Sequence, residues 1–154
     1  MRFKTVTFVI LAVIISLFTL NTSAFAEQIG VIDLNKILQN YTKSQNARAD
    51  MKIKQAELQK FVENARKSVQ AGKTTAEKKK LEDKYNAELK QKVAAVNAGQ
   101  TQKVQEIQTN IYSAIKSAAD QKQISTVLTK ESVIMGGQDF TDEVLKVLNA
   151  QPVK

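Results

Sequence analysis

The spacing of apolar residues changes twice along the chain, and each change marks a new kind of element. Residues 29–33 are a short β-prone run and predict a first strand. From Leu34 to Tyr41 the apolar residues fall at helical spacing and predict a short helix. Residues 43–122 keep the helical period, and the strand-like period returns only after them.

The long central section contains one stop signal followed at once by one start signal. Gly72 suits the left-handed position just past a helix end, and Thr74 with Glu77 fits a capping box. We therefore expect a tight turn at 71–75 that joins two antiparallel helices, the second reaching about Lys122. The apolar stripe of the first helix is Ala47, Met51, Leu58, Phe61 or Val62, Ala65 and Val69, and that of the second is Leu81, Tyr85, Leu89, Val93, Val96, Val104, Ile107, Ile111, Ile115 and Ala118.

Two short β-prone runs, 124–128 and 133–135, follow the second helix. Residues 130–132 lie between them and predict a β-hairpin turn. Asp139 or Thr141 can cap a last helix over 142–148. One strand thus precedes the central section and two follow it, which predicts a small sheet of about three strands.

These elements predict a mostly α protein with a small β body, from which a long antiparallel helical hairpin projects as a coiled-coil arm. The predicted divisions are residues 27–42 and 123–149 for the body, and residues 43–122 for the arm, with the base of its second helix packed on the body. The predicted body or oligomer core comprises Val31, Ile32, Val127, Leu128, Val133, Ile134, Met135 and Phe140. Because this core is thin and the chain has no cysteine for a disulfide, we expect oligomerisation.

The stripe of the second helix lapses between Val96 and Val104, where Gly99 lies. A glycine inside a helix costs ~1 kcal/mol relative to alanine. Gly99 is either a tolerated surface glycine or a bend point that lets the arm flex.

The first residues resemble a targeting segment. Arg2 and Lys4 precede an apolar run from Val6 to Leu20, and Ala24-Phe25-Ala26 fits a small-x-small cleavage pattern. Residues 1–26 are therefore predicted to be a cleaved signal peptide, with a retained membrane anchor as the alternative. At the other end, residues 150–154 are predicted to form a loose tail.

Composition excludes several kinds of chemistry. The chain contains no Cys and no His, which removes thiol nucleophiles, His-dependent catalysis and Cys- or His-based metal sites. No Gly-rich phosphate loop is present, and the carboxylates near the predicted body are placed as caps and turn residues. We predict no enzymatic activity, no catalytic or metal-binding residues and no cofactor.

Positive charge is concentrated in the arm, where residues 43–122 hold 17 basic and 9 acidic side chains. Lys73, Lys78, Lys79 and Lys80 lie at the predicted turn, where cations oppose the dipole of the second helix. This group, called here the tip lysines, is either a solvated turn or a contact for anionic lipid, lipopolysaccharide or acidic protein segments.

Both ends of the chain resemble the Skp (OmpH-like) family of chaperones. Residues 29–38, IGVIDLNKIL, are similar to the family's opening strand and helix, and residues 133–145, VIMGGQDFTDEVL, to its closing strand, glycines and last helix. Met135 stands where the family pattern suggests an aromatic residue, and Phe140 where it suggests a β-branched one. The arm is also shorter than in some members.

The resemblance implies a periplasmic homotrimer with three helical arms around a cavity. It implies an ATP-independent holdase that binds unfolded outer-membrane β-barrel proteins. The alternative is a structural coiled-coil spacer or envelope interaction protein without clients. A nucleic-acid partner is not expected, because basic charge permits it but the predicted export and the missing recognition motifs disfavour it.

Overall fold

A computed structural model describes residues 28–150. The predicted signal peptide and the end of the predicted tail lie outside these residues. In chain order the elements are β1 (Ile29–Ile32), α1 (Leu34–Asn40), α2 (Thr42–Ala71), α3 (Thr75–Gln121), β2 (Thr126–Thr129), a 3₁₀ turn (Lys130–Ser132), β3 (Gln138–Asp139) and α4 (Thr141–Ala150).

The sheet has the order β2-β1-β3, and both outer strands run parallel to β1. Val31 is opposite Leu128 on one side and Asp139 on the other. The N-terminal strand is thus the centre of a sheet whose two edges come from the C-terminal part of the chain. The two ends of the described chain are held in one body by these pairings.

The predicted β-hairpin after the arm is wrong. Residues 130–132 form a 3₁₀ turn, and Val133–Met135 form no strand. The third strand is instead the polar pair Gln138 and Asp139, which sequence pattern did not indicate. Gly136 and Gly137, at φ values of 92° and 84°, turn the chain so that β3 runs in the same direction as β2.

Helices cover one face of the sheet and form the core with it. Phe140 is fully buried, and a Cβ on Gly30 would lie 2.5 Å from its ring and 2.8 Å from Ile124. Only a residue without a side chain permits so close an approach. The buried cluster comprises Ile32, Ile37, Tyr41, Ile111, Ala114, Ala118, Ala119, Ile124, Phe140, Val144, Leu145 and Leu148.

The opposite face of the sheet is crossed by residues 133–137, called here the crossing segment. A Cβ on Gly137 would clash with Val31 and lies near the carbonyl of Ile29. Val31 is therefore buried beneath the crossing segment and not within the helix-side cluster. The glycine at 137 is required both by its positive φ and by this contact.

The helices α2 and α3 contact each other along their length, with residues paired in reverse order. Lys43 reaches Glu106, Asp50 reaches Lys103, and the ring of Phe61 meets that of Tyr85. At ~1.5 Å per residue, α2 spans ~45 Å and α3 ~70 Å, so α3 extends beyond α2 into the body. There Ile111, Ala114 and Ala118 enter the core.

The turn between these helices confirms one local prediction and corrects another. The Thr74 side chain accepts a hydrogen bond from the Glu77 backbone N–H at 3.1 Å, as in the predicted cap, and the Glu77 carboxylate accepts one from the Lys73 N–H at 3.0 Å. Gly72 is not left-handed, since its φ of −61° and ψ of 134° are extended. Its N–H still donates to the Val69 carbonyl, which closes the last turn of α2.

The residues predicted for the body or oligomer core differ in their burial within this chain. Val31, Ile32 and Phe140 are buried, and Val127 packs against the cluster. Val133 is half-buried. Leu128, Ile134 and Met135, predicted for the same body or oligomer core, are exposed within this chain, and the segment that contains the last two crosses the sheet without forming a strand.

Two glycines provide a matched test of this packing. We expect Gly30→Ala to lower the free energy of unfolding by roughly 1–3 kcal/mol, because the added methyl overpacks the Phe140 contact. Gly99→Ala should instead raise it by ~1 kcal/mol, since Gly99 is helical and its Cβ would meet nothing within 4 Å. Urea unfolding followed by circular dichroism measures both, and equal effects of the two changes would contradict the assigned core.

Candidate functional site

The arm has no buried core of its own. From Gln45 to Asn110, a fully described range, no side chain is buried. The apolar stripe of α2 is half-buried at Ala47, Met51 and Leu58, and that of α3 at Val96 and Ile107. Each helix therefore leaves part of its apolar stripe in contact with solvent.

An aromatic pair joins the two helices towards the far half of the arm. The ring centroids of Phe61 and Tyr85 are 6.0 Å apart, with an edge-to-face angle of 72°. The ammonium of Lys92 lies 5.1 Å from the Phe61 centroid, and that of Lys84 lies 5.8 Å from the Tyr85 centroid. The ring pair and the Lys92–Phe61 contact each add ~0.5–1.5 kcal/mol to the pairing of the helices, whereas Lys84 and Tyr85 both lie on α3.

Two ion pairs join the helices nearer the body. Lys43 donates to Glu106 at 2.8 Å, and Lys103 pairs with Asp50. These hydrogen bonds with lysine lower the pKa values of both carboxyl groups, and the bond to Glu106 raises the pKa of Lys43. All four groups are solvent-accessible, so the pairs fix the register of the helices more than they stabilise the fold.

A groove opens beside these ion pairs, between the two helices and the edge of the body. Its volume is about 1270 Å³, and most of its lining is apolar. Ser44 lies at its body end, and the Ser44 hydroxyl is buried without a hydrogen-bond partner in the described chain. The groove is partly open to solvent along the arm and is lined by Met51, Leu58, Phe61, Val96, Gly99, Val104, Ile107, Ile111, Tyr112 and Ile115, among others.

Sequence reasoning did not identify this groove, although a signal for it was present. The stripe of α2 steps seven residues from Met51 to Leu58, and that of α3 steps eight from Val96 to Val104. These two gaps in the apolar stripes form one groove only if they lie at the same level of the arm. The register set by Asp50 and Lys103 places them there.

The tip lysines lie together at the turn between α2 and α3. Lys73, Lys78, Lys79 and Lys80 are all exposed. Among the residues that the structure describes, no carboxylate pairs with their ammonium groups. The contacts of α3 with the body lie at the opposite end of that helix, around Ile111 and Ala118.

Gly99 lies within an unbroken α3. It lines the groove, and no other side chain or distant backbone lies within 4 Å of where its Cβ would be. Close helix packing therefore does not require a glycine at this position. Its role as a bend point stays a prediction.

The outer face of the sheet carries a group of exposed apolar side chains, called here the outer patch. Ile29 and Leu128 share the face of Val31 by the strand register, and the crossing segment adds Ile134 and Met135. Ile134 is 104% exposed and Met135 is 90% exposed. Two large apolar residues so placed are typical of an interaction surface.

No cluster of metal-binding side chains occurs within residues 28–150. Over the same residues, no helix is both long and apolar enough to span a bilayer. The carboxylates of the body have structural partners. Asp139 accepts hydrogen bonds from the Thr141 N–H and hydroxyl at 3.0 and 2.6 Å, which lower its pKa, and the Asp33 carboxylate accepts one from the Lys36 N–H at 2.8 Å.

Comparisons with known proteins agree with this architecture. The sequence model of the family described as outer membrane protein (OmpH-like) matches residues 28–148. A crystal structure of a candidate outer membrane chaperone (OmpH-like) from Caulobacter crescentus CB15 is similar in fold, with a TM-score of 0.51 and 22% sequence identity. The similarity covers 79% of this chain and 83% of the Caulobacter chain. No curated protein sequence matches the chain.

Proposed function

The chain belongs to the OmpH-like family, and from this premise we propose that it is a periplasmic, ATP-independent holdase. It binds unfolded outer-membrane β-barrel proteins between helical arms and prevents their aggregation on the way to the outer membrane. The observation that carries the proposal is the arm itself. Over some 66 successive residues, 45–110, it buries no side chain and offers apolar and basic groups side by side.

Such a surface suits an unfolded client. Half-exposed apolar side chains bind apolar segments weakly, and the excess of lysine attracts acidic ones. Many weak contacts retain a chain without fixing one conformation, since their effective concentration is high. They also cover strand edges that would otherwise pair with other chains. We infer no enzymatic activity and no cofactor for this role.

We propose that the active form is a homotrimer, with the outer patch as part of its interface. Ile134 and Met135 are large apolar side chains that the single chain leaves almost fully exposed. Burying each of them in an interface would contribute ~1.5–3 kcal/mol to the free energy of assembly. Assembly would also place three arms around one cavity. Residues 1–26 are proposed as the signal peptide that directs the chain to the periplasm.

A spacer or envelope interaction protein without clients is the second candidate. The long helix pair would serve that role equally well. The half-exposed stripe favours the holdase, because a spacer gains from burying its apolar residues in a continuous seam.

Client holding is tested directly by aggregation. The mature protein from Glu27, at stoichiometric amounts and without nucleotide, should keep a denatured outer-membrane barrel protein soluble after dilution. Rising salt should slow capture more than it weakens the captured complex, since charge acts mainly on encounter. Light scattering follows the reaction, and equal scattering with and without the protein would favour the spacer.

Assembly is tested at the outer patch. Mature parent protein should sediment as a trimer at micromolar concentration, whereas Ile134→Asp should dissociate it while leaving helicity intact, because Ile134 has no packing role within the single chain. Ile53→Asp is a suitable control, since Ile53 is also exposed but lies on the arm. A monomeric parent, or an Ile134→Asp protein that stays trimeric, would reject this interface.

The tip lysines are proposed to contact anionic lipid head groups, lipopolysaccharide or acidic client segments. Near an anionic membrane each lysine contributes ~1 kcal/mol over a Debye length of ~8 Å. Changing Lys73, Lys78, Lys79 and Lys80 to Gln should therefore sharply reduce binding to anionic vesicles, with little binding of either form to neutral ones. Helicity and assembly should persist, since all four side chains are exposed.

The matched control for this test removes the same charge elsewhere on α2 and α3. Lys52, Lys60, Lys90 and Lys116 are exposed and lie away from the turn. Their change to Gln should weaken vesicle binding much less than the change of the tip lysines. Equal loss in both variants in a co-sedimentation assay would mean that only net charge matters.

A further inference from the structure

The groove between α2 and α3 arises because both apolar stripes lapse at one level of the arm. All residues in 52–57 are exposed, and so are all residues in 97–106. The Asp50–Lys103 ion pair sets these two stretches beside each other. No side chain of either stretch is buried between the helices, and even Val104 remains 54% exposed, so the helices leave an open channel there with Gly99 in its wall.

The size and lining of the groove suit a segment of polypeptide. Its volume of about 1270 Å³ exceeds the ~300–1,000 Å³ of small-molecule sites. Apolar side chains from both helices, such as Met51 and Val104, line it, and its partly open shape lets a longer chain enter and leave. An extended segment can place alternate side chains on such a surface.

The acidic side chains at the groove have ion-pair partners in the described chain, whereas two of its basic side chains do not. Both of its acidic residues are already paired, Asp50 with Lys103 and Glu57 with Lys54 at 3.0 Å. Arg48 and Lys52 are one helical turn apart on α2, and within residues 28–150 neither forms an ion pair. The uncompensated charge of the groove is therefore positive and lies along one helix.

We propose that this groove is a selective client subsite. It binds an extended segment in which alternating apolar side chains are followed by carboxylates, with the apolar residues against Met51 and Val104 and the carboxylates at Arg48 and Lys52. This inference rests on the proposed holdase function and adds a preference to it: an apolar segment flanked by Asp or Glu binds better than the same segment flanked by Lys.

Peptides test this preference on the assembled mature protein. The chain has no tryptophan, so a single Trp in a peptide reports its own environment. The first peptide alternates Val and Ser around the Trp and ends in two Glu. The second ends in two Lys, and the third keeps the Glu but replaces Val with Ser. A blue shift of Trp fluorescence and a fitted Kd are expected for the first peptide. Binding of the second should be about fivefold weaker, the scale of one exposed charge contact. Binding of the third should also be weaker, because it has lost the apolar Val side chains.

Two variants with matched controls locate the binding. Val104→Gln should weaken the first peptide, whereas Ile53→Gln should not, although the two residues are 54% and 56% exposed and only Val104 lines the groove. Arg48→Gln with Lys52→Gln should remove the preference for Glu over Lys, whereas Arg66→Gln with Lys67→Gln, outside the groove, should keep it. Circular dichroism and sedimentation check that every variant folds and assembles.

Aggregation of a denatured barrel protein is measured on the same samples, which separates the two proposals. If the parent suppresses aggregation but shows no preference for the Glu peptide, or if Val104→Gln and Ile53→Gln behave alike, the subsite is overturned and the holdase stands. If the parent binds the Glu peptide through Val104 but does not suppress aggregation, the groove is a peptide site and the holdase is overturned. Suppression together with groove-dependent selectivity supports both.

Discussion

The packing of the Phe140 ring against the bare Cα of Gly30 holds the two ends of the described chain together. Phe140 follows β3 and precedes α4, whereas Gly30 lies in β1, and the 2.5 Å limit at Gly30 leaves no room for a side chain between them. The Phe140 N–H also donates to the Val31 carbonyl at 3.1 Å. The last helix α4 and the base of α3 pack on the same buried cluster as Phe140, so the positions of both depend on this contact.

The arm depends on the packing of α3 in the body, because few other contacts stabilise the arm. Without a buried side chain between 45 and 110, the helix pair relies on helix propensity, one aromatic pair and exposed ion pairs. Such contributions are individually small. The base of α3 is different, because Ile111 and Ala118 lie in the body core and hold the helix where it leaves the body. Because so little of the arm is buried, its own contribution to stability is small, and its apolar surface remains available to a partner.

The pairing of charged side chains also differs between the body and the arm. Near the body, Lys36 pairs with Asp142, Lys43 with Glu106 and Lys122 with Glu143. The tip lysines, by contrast, pair with no carboxylate of the described chain. Several lysines near the body are therefore paired, whereas, among the described residues, Arg48 and Lys52 in the groove and all four tip lysines leave uncompensated positive charge on the arm.

Local signals in the sequence were sufficient for the helices and for the turn between them. Helical spacing and the Thr74 cap depend on neighbours three or four residues away, so they can be identified without a fold. The parallel pairing of β1 with β2 and β3, and the exposure of Ile134 and Met135, could not be identified in this way. A β-prone run such as 133–135 is equally apolar whether it pairs or crosses over a sheet, and only Gly137 packed on Val31 decided between the two. The groove likewise needed the register of Asp50 with Lys103, because two lapses in separate helices form one channel only when tertiary contacts bring them to the same level.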